Sequence, residues 1–124
     1  MLRFSILAFA GAAGTLTRYA LGSWIQQLCG SRFPLGTFVV NALGCLIIGF
    51  IGTLADERAF FSQELRVALI IGFLGAFTTY SSFAYETGKL FTNGNILFAM
   101  GNVFGTLVIC FISLFLGALL ARLI

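Results

Sequence analysis

The amino-acid sequence predicts an all-α membrane protein of four transmembrane helices, the third of them broken at mid-membrane. Three observations carry that prediction. Of the 124 residues, 60% are hydrophobic and only 9% are charged, against roughly 25% charged in an ordinary soluble domain. The apolar residues gather into four stretches, each close to the ~20 residues that a helix needs to cross ~30 Å of hydrocarbon. Inside the third stretch lies "GAFTTYSSFAYE", Gly75 to Glu86, where hydroxyls alternate with aromatic rings. A polar cluster within a span is expensive, which marks it as a functional site.

The first span covers about Phe4–Leu28. Its start, "MLRFSILAFAGA", has the basic residue and small-residue exit of a secretory leader, but no hydrophilic stretch follows and it is read as a span. Arg18 stands near its middle, where a lone arginine costs at least ~2.5–3.5 kcal/mol. It is expected either to snorkel or to face an aqueous vestibule and draw anions in. The joint "CGSRFPLG" places Pro34 and Gly36 in a turn before the second span, about Thr37–Leu54. "ADERAFFSQELR" leads to the third, Val67–Leu90, and the Asn93-Gly94 turn in "TNGN" to the fourth, Ile96–Leu120. None of these shows the period-two alternation of a barrel wall. Residues 1–124 therefore read as a single four-span domain.

Charge and special residues exclude several function classes. Histidine is absent and like charges form no run, so nucleic-acid binding has no footing. Nor can an enzymatic nucleophile–base pair or a metal-ligand set be assembled. The net charge of +3 suits loops that meet anionic headgroups of the lipid bilayer. Cys29, Cys45 and Cys110 follow no disulfide or metal spacing and read as small apolar fillers. Arg3, Arg58, Arg66 and Arg122 fall on one side of the membrane, with Arg32 and Lys89 on the other. Such a weak bias permits insertion both ways, and hence an antiparallel, dual-topology homodimer, or else a single orientation with the N-terminus inside. "GNVFG", Gly101–Gly105, is a small-xxx-small pattern that lets backbones approach.

Helix geometry turns position into depth. Thr78 and Thr79 mark the midpoint of the third span, and Phe83 lies ~7 Å beyond at 1.5 Å per residue. Asn41 precedes the midpoint of the antiparallel second span by a similar count, so Asn41 and Phe83 are expected at one depth. Tyr80, Phe83 and Thr87 share a helix face, and Asn102, Thr106, Cys110 and Ser113 form a polar stripe on the fourth span. Any one hydroxyl can bond the preceding turn's carbonyl; together with Asn41, Thr79, Ser81 and Ser82 the set predicts a hydrated pathway. Gly72, Gly75 and the threonine pair allow the third helix to break, which frees carbonyl oxygens for a hard cation such as sodium. Glu86 is expected to reach the interface together with Lys89.

These motifs together resemble one family, the small bacterial Fluc (CrcB) fluoride channels. "GAAGTLTRY" (Gly11–Tyr19) is similar to the family's glycine-rich first-span segment ending in arginine. "PLGTFVVNALGCLIIG" (Pro34–Gly49) resembles its second-span signature around an asparagine, and "GFLGAFTTYSSF" (Gly72–Phe83) its third-span signature. The resemblance implies an antiparallel homodimer with two fluoride pores in a bacterial inner membrane. By position it makes Asn41 the pore asparagine, Tyr80 and Phe83 the rings that face fluoride, and Ser81 and Ser82 the hydroxyls beside them. It assigns Arg18 to the vestibule, and Thr106 as the fourth-span pore group. Gly75 and Thr78 match the positions whose carbonyls hold a structural sodium ion at the dimer interface. Tyr80 departs from the family's usual phenylalanine, and Ser82 from its common threonine, which implies a preserved fold and an altered conduction rate.

The chemistry agrees with that implication. Fluoride is small and strongly hydrated, so its water must be replaced by donors. Amide and hydroxyl groups donate without carrying charge, and aromatic edges are electropositive. Neutral donors bind an anion weakly enough to release it, as conduction requires. A small multidrug-type exporter shares the length and span number but needs a carboxylate deep in its first helix, and none is there. A non-conducting assembly subunit accounts for the glycines but leaves the midplane hydroxyls idle.

Overall fold

The computed structural model describes residues 2–58 and 61–124; Met1, and Ala59 and Phe60 of the second polar joint, lie outside it. Four helical segments are long and apolar enough to cross a membrane, Arg3–Cys29, Leu35–Glu57, Gln63–Thr92 and Ile96–Arg122. The first is α1 (Leu2–Cys29), the second α2 (Leu35–Glu57) and the last α6 (Ile96–Arg122). The third is composite: α3 (Gln63–Arg66), a wider π-helical stretch (Val67–Leu74), α4 (Gly75–Phe77) and α5 (Tyr80–Thr92).

Each helix outruns its apolar stretch, because backbone hydrogen bonding continues past the point where hydrophobicity ends. Ser62 begins the third segment early, its hydroxyl accepting the Leu65 N–H at 3.3 Å. Ion pairs then gather the helix ends: Arg122 donates through Nε and Nη2 to Glu57 at 3.0 and 2.7 Å, Arg66 pairs with Asp56, and Arg3 reaches Glu64 at 3.8 Å. These pairs are exposed and screened by solvent, so they register the ends and do not hold the bundle. At the opposite end the Gln26 side chain closes the first joint, donating to the Ser31 and Phe33 carbonyls at 2.8 and 3.2 Å and accepting the Gly36 N–H at 3.1 Å. Gly94 turns the third joint with φ 75°, a left-handed conformation natural to glycine.

Lipid tails are as apolar as leucine, so close backbone packing must supply what water exclusion cannot. The most extensive contact joins α2 and α6, and a glycine from each side permits it. A Cβ at Gly49 would stand 2.1 Å from the Leu114 carbonyl oxygen, and one at Gly117 2.0 Å from that of Leu46. The "GNVFG" glycines work differently: a Cβ at Gly101 or Gly105 would stand 3.9 or 3.6 Å from the Phe33 or Phe38 ring. They admit aromatic rings and not a neighbouring backbone, a distinction their spacing alone does not encode. Val40, Leu74 and Phe77 form the core against which Phe73, Ile47 and Ile48 pack, so α2 lies directly against the polar cluster of the third segment.

Candidate functional site

Between Phe77 and Tyr80 the third segment leaves the helical conformation. Thr78 is extended at φ −81°, ψ 155°, and Thr79 at φ −149°, ψ 113°. The amide of Asn41 meets this stretch as a second strand would. Its Nδ2 donates to the Thr79 carbonyl at 3.0 Å and its Oδ1 accepts the Thr79 N–H at 2.7 Å. Both backbone groups of Thr79 are thereby satisfied by one side chain, which an apolar residue could not do. Asn41 is only 8% exposed, and its amide carries two N–H donors, so one remains beyond this clamp. Gly44, one turn on, makes the approach possible: a Cβ there would stand 2.2 Å from the Thr78 methyl.

The hydroxyl of Thr79 caps α5, accepting the Ser82 N–H at 3.2 Å while donating to Ser82 Oγ at 3.0 Å. Ser81 Oγ lies 3.4 Å from the same hydroxyl. Two donors are redirected as a result. In an uninterrupted α-helix the Thr79 N–H would bond the Gly75 carbonyl and the Ser82 N–H that of Thr78; here they go to Asn41 Oδ1 and Thr79 Oγ.

Two cavities flank the clamp, and Thr79 lines both. The larger, about 640 Å³, is bordered by Arg18, Arg32, Lys89, Glu86 and Ser82. The smaller, about 330 Å³, is bordered by Asn41, Tyr80, Phe83, Thr106 and two cysteines, Cys45 and Cys110. The structure thus brings Asn41, Phe83, Tyr80 and Thr106 to one groove and sends Ser82 and Arg18 to the other cavity; Ser81 is exposed beside Thr79 and borders neither. Tyr80 and Phe83 lie with ring centroids 5.5 Å apart, yet Tyr80 is 78% exposed while Phe83 is 8% exposed. The groove is therefore open on the Tyr80 side of a single chain.

A buried hydrogen-bond chain fixes the α6 wall. Asn102 Nδ2 donates to the Thr87 hydroxyl at 2.8 Å, which donates to the Phe83 carbonyl at 2.7 Å. The Thr106 hydroxyl donates to Asn102 Oδ1 at 3.2 Å. Thr106 has a single proton, and this arrangement directs it to Asn102 and not into the groove. Asn102 is 1% exposed, so half of the predicted polar stripe is a tie between α5 and α6.

Arg18 donates from Nε to the Ala76 carbonyl at 3.2 Å, which holds α1 against α4 at the edge of the larger cavity. Glu86 is partnered by α2. It accepts the Thr37 hydroxyl at 2.8 Å through Oε1, and its Oε2 is buried without a hydrogen-bond partner. Lys89 instead sits over the Tyr85 ring, 4.6 Å from its centroid. Sequence reasoning missed the Thr37–Glu86 contact. The signal was present, since Glu86 is the one acid within a predicted span, and such residues are costly unless they serve a cavity.

A family model described as "CrcB-like protein, Camphor Resistance (CrcB)" matches residues 5–118. The chain belongs to the CrcB-like family. Its relatives cover nearly its whole length. A protein of Nitrosococcus oceani named "Fluoride-specific ion channel FluC" is 43% identical over 118 residues, 95% of this chain and 94% of that protein. One of the same name from Solibacter usitatus is 41% identical over 121 residues, 98% of this chain and 99% of the relative. Another, from Desulforapulum autotrophicum, is 43% identical over 122 residues, 98% of each. For a CrcB-like chain, the four long apolar helices are those of a multi-pass membrane protein.

Proposed function

We propose that the chain is a fluoride-specific ion channel that passes fluoride passively across the bacterial inner membrane. The observation that carries the reading is the Asn41–Thr79 clamp between a cavity bordered by arginine and lysine and a groove bordered by Phe83. An anion drawn in by Arg18, Arg32 and Lys89 would next meet neutral donors: the second N–H of Asn41, the hydroxyl of Ser82, and ring edges. The printed names of its relatives point the same way, and nothing in them favours an exporter. Efflux of fluoride from proteoliposomes, with chloride as the control, tests the reading; equal movement of both ions would reject it.

The open side of the groove at Tyr80 supports a second copy as its missing wall, with two pores in an antiparallel homodimer. Single-cysteine variants are expected to cross-link position 32 of one copy to position 58 of the other across one membrane face. Labelling of each position from one side only would rule out dual topology.

The Gly75 and Thr78 carbonyls, whose helical donors go to Asn41 and Thr79 instead, fit a sodium ion at the dimer interface, because they are neutral oxygens suited to a hard cation. When bound, the ion supplies a positive charge that ties the two interrupted segments together. Melting temperature is expected to rise with sodium concentration by mass action and to stay constant in N-methylglucamine at equal ionic strength.

Tyr80 adds a phenol at the rim of the groove. A neutral hydrogen bond contributes on the order of 1 kcal/mol, enough for several-fold in rate. Tyr80→Phe is therefore expected to raise fluoride flux several-fold without changing assembly. Equal or lower flux would show that the hydroxyl does not project into the path.

A further inference from the structure

Cys45 lies one turn beyond Asn41 on α2, and Cys110 one turn beyond Thr106 on α6, so each shares a face with a residue of the smaller groove. Both thiols border that groove. Gly49 of α2 packs against the Leu114 carbonyl of α6, and Cys45 and Cys110 each lie one turn before those residues on the same two helices, both thiols free. Cys29, at the end of α1, is exposed and borders neither cavity. The reading of all three as apolar fillers does not account for two thiols at one level in the wall of one groove.

We propose that Cys45 and Cys110 form a two-thiol binding site for a soft, two-coordinate cation, mercury(II) being the ion that fits it best. Soft thiolates select soft metals, and a linear pair needs only two ligands. Among the described residues no group of three or more metal-ligating side chains exists, so ions that demand four ligands are not served. At metal–sulfur distances near 2.3 Å the two sulfurs would stand about 4.6 Å apart, a wider bridge than a disulfide, which closes them to about 2.05 Å. Charge decides among soft ions. Two thiols release two protons to water, mercuric chloride gives up its two chlorides, and two metal–sulfur bonds form, with no change of oxidation state and a neutral product. A monovalent ion between two thiolates would leave a net negative charge in an apolar wall, which is costly. Helix α2 and helix α6 are already held backbone to backbone through Gly49 and Gly117, so the two sulfurs need little reorganisation to share an ion.

Occupation of the site would narrow the groove beside Asn41 and Phe83. That consequence rests on the channel reading; the binding itself does not. The test uses the full-length Cys29→Ser chain in detergent, titrated with mercuric chloride. The expected result is one mercury per chain, two titratable thiols lost for each metal, and retention against a monothiol that strips the single-cysteine chains. Cys45→Ser and Cys110→Ser in that background, with Cys45→Ala as a second variant, are expected to release the metal to that monothiol. Two mercury ions per chain, equal retention by a single-cysteine variant, or mercury-dependent cross-linking of two chains would each overturn the site. In proteoliposomes, mercury is expected to slow fluoride efflux of the Cys29→Ser chain by about tenfold or more by constricting the path, each variant being compared with its own metal-free rate. Tight two-thiol binding with unaltered efflux would uphold the site and count against the groove as the pore.

Discussion

Proteoliposomes containing the Asn41→Asp chain are expected to release fluoride at least about a hundredfold more slowly than the parent, because an uncompensated buried charge costs about 3–5 kcal/mol and each 1.36 kcal/mol is tenfold in rate. The amide does two things that a carboxylate cannot. Its Nδ2 donates to the Thr79 carbonyl at 3.0 Å, where an ionised oxygen would face another oxygen. It also keeps the groove neutral, whereas aspartate would set a negative charge in the route proposed for the anion. Oδ1 would still accept the Thr79 N–H, now 2.7 Å away, so half of the clamp survives. The variant should therefore elute from size exclusion at the parent's volume. Parental flux in Asn41→Asp would move the path away from this groove.

Valine at Gly117 is expected to abolish recovery of folded protein, the largest structural effect that a single substitution can have here. The Cβ would stand 2.0 Å from the Leu46 carbonyl oxygen and 2.9 Å from the Phe50 nitrogen, both backbone atoms of α2. Flexible side chains can move aside for about 1–3 kcal/mol, but a helix backbone can yield only by shifting α2 and α6 apart. That separation would undo the reciprocal contact at Gly49, where a Cβ would meet the Leu114 oxygen at 2.1 Å. Gly52→Ala is the matched control on α2, since its Cβ meets nothing within 4 Å. The control should be recovered at the parental yield, and even gain slightly, because glycine within a helix costs up to about 1 kcal/mol relative to alanine. Monodisperse, parent-like protein from Gly117→Val would show that the two helices do not pack through this contact.

Much of the candidate site was legible in the sequence because its signals are energetic. Thr78, Thr79, Ser81 and Ser82 stand out in any apolar window, since polar groups there must find partners. Asn41 and Phe83 could be placed at one depth because a helix rises uniformly along its axis. Direction was less legible. The sequence offers the Thr106 hydroxyl to the groove, whereas its proton goes to Asn102, and it does not single out Thr37 as the hydroxyl that donates to Glu86. A hydrogen bond depends on angles between helices, and spacing along one helix does not contain them.

The amino-acid sequence by itself determined the class of this protein, four apolar helical spans, because hydrophobicity and length are local quantities. It also determined where polar atoms would be costly, and so where a site must lie. Only the tertiary structure decided how those costs are met: that Asn41 satisfies both backbone groups of Thr79, that Asn102 ties Thr87 to Thr106, and that Gly117 rather than Gly101 or Gly105 brings a backbone into contact. It likewise brought Cys45 and Cys110, 65 positions apart in the chain, to one wall of one groove. Such pairings depend on the rotation of one helix about its axis relative to its neighbour. In lipid, where apolar faces are nearly interchangeable, that rotation is set by the close contacts themselves.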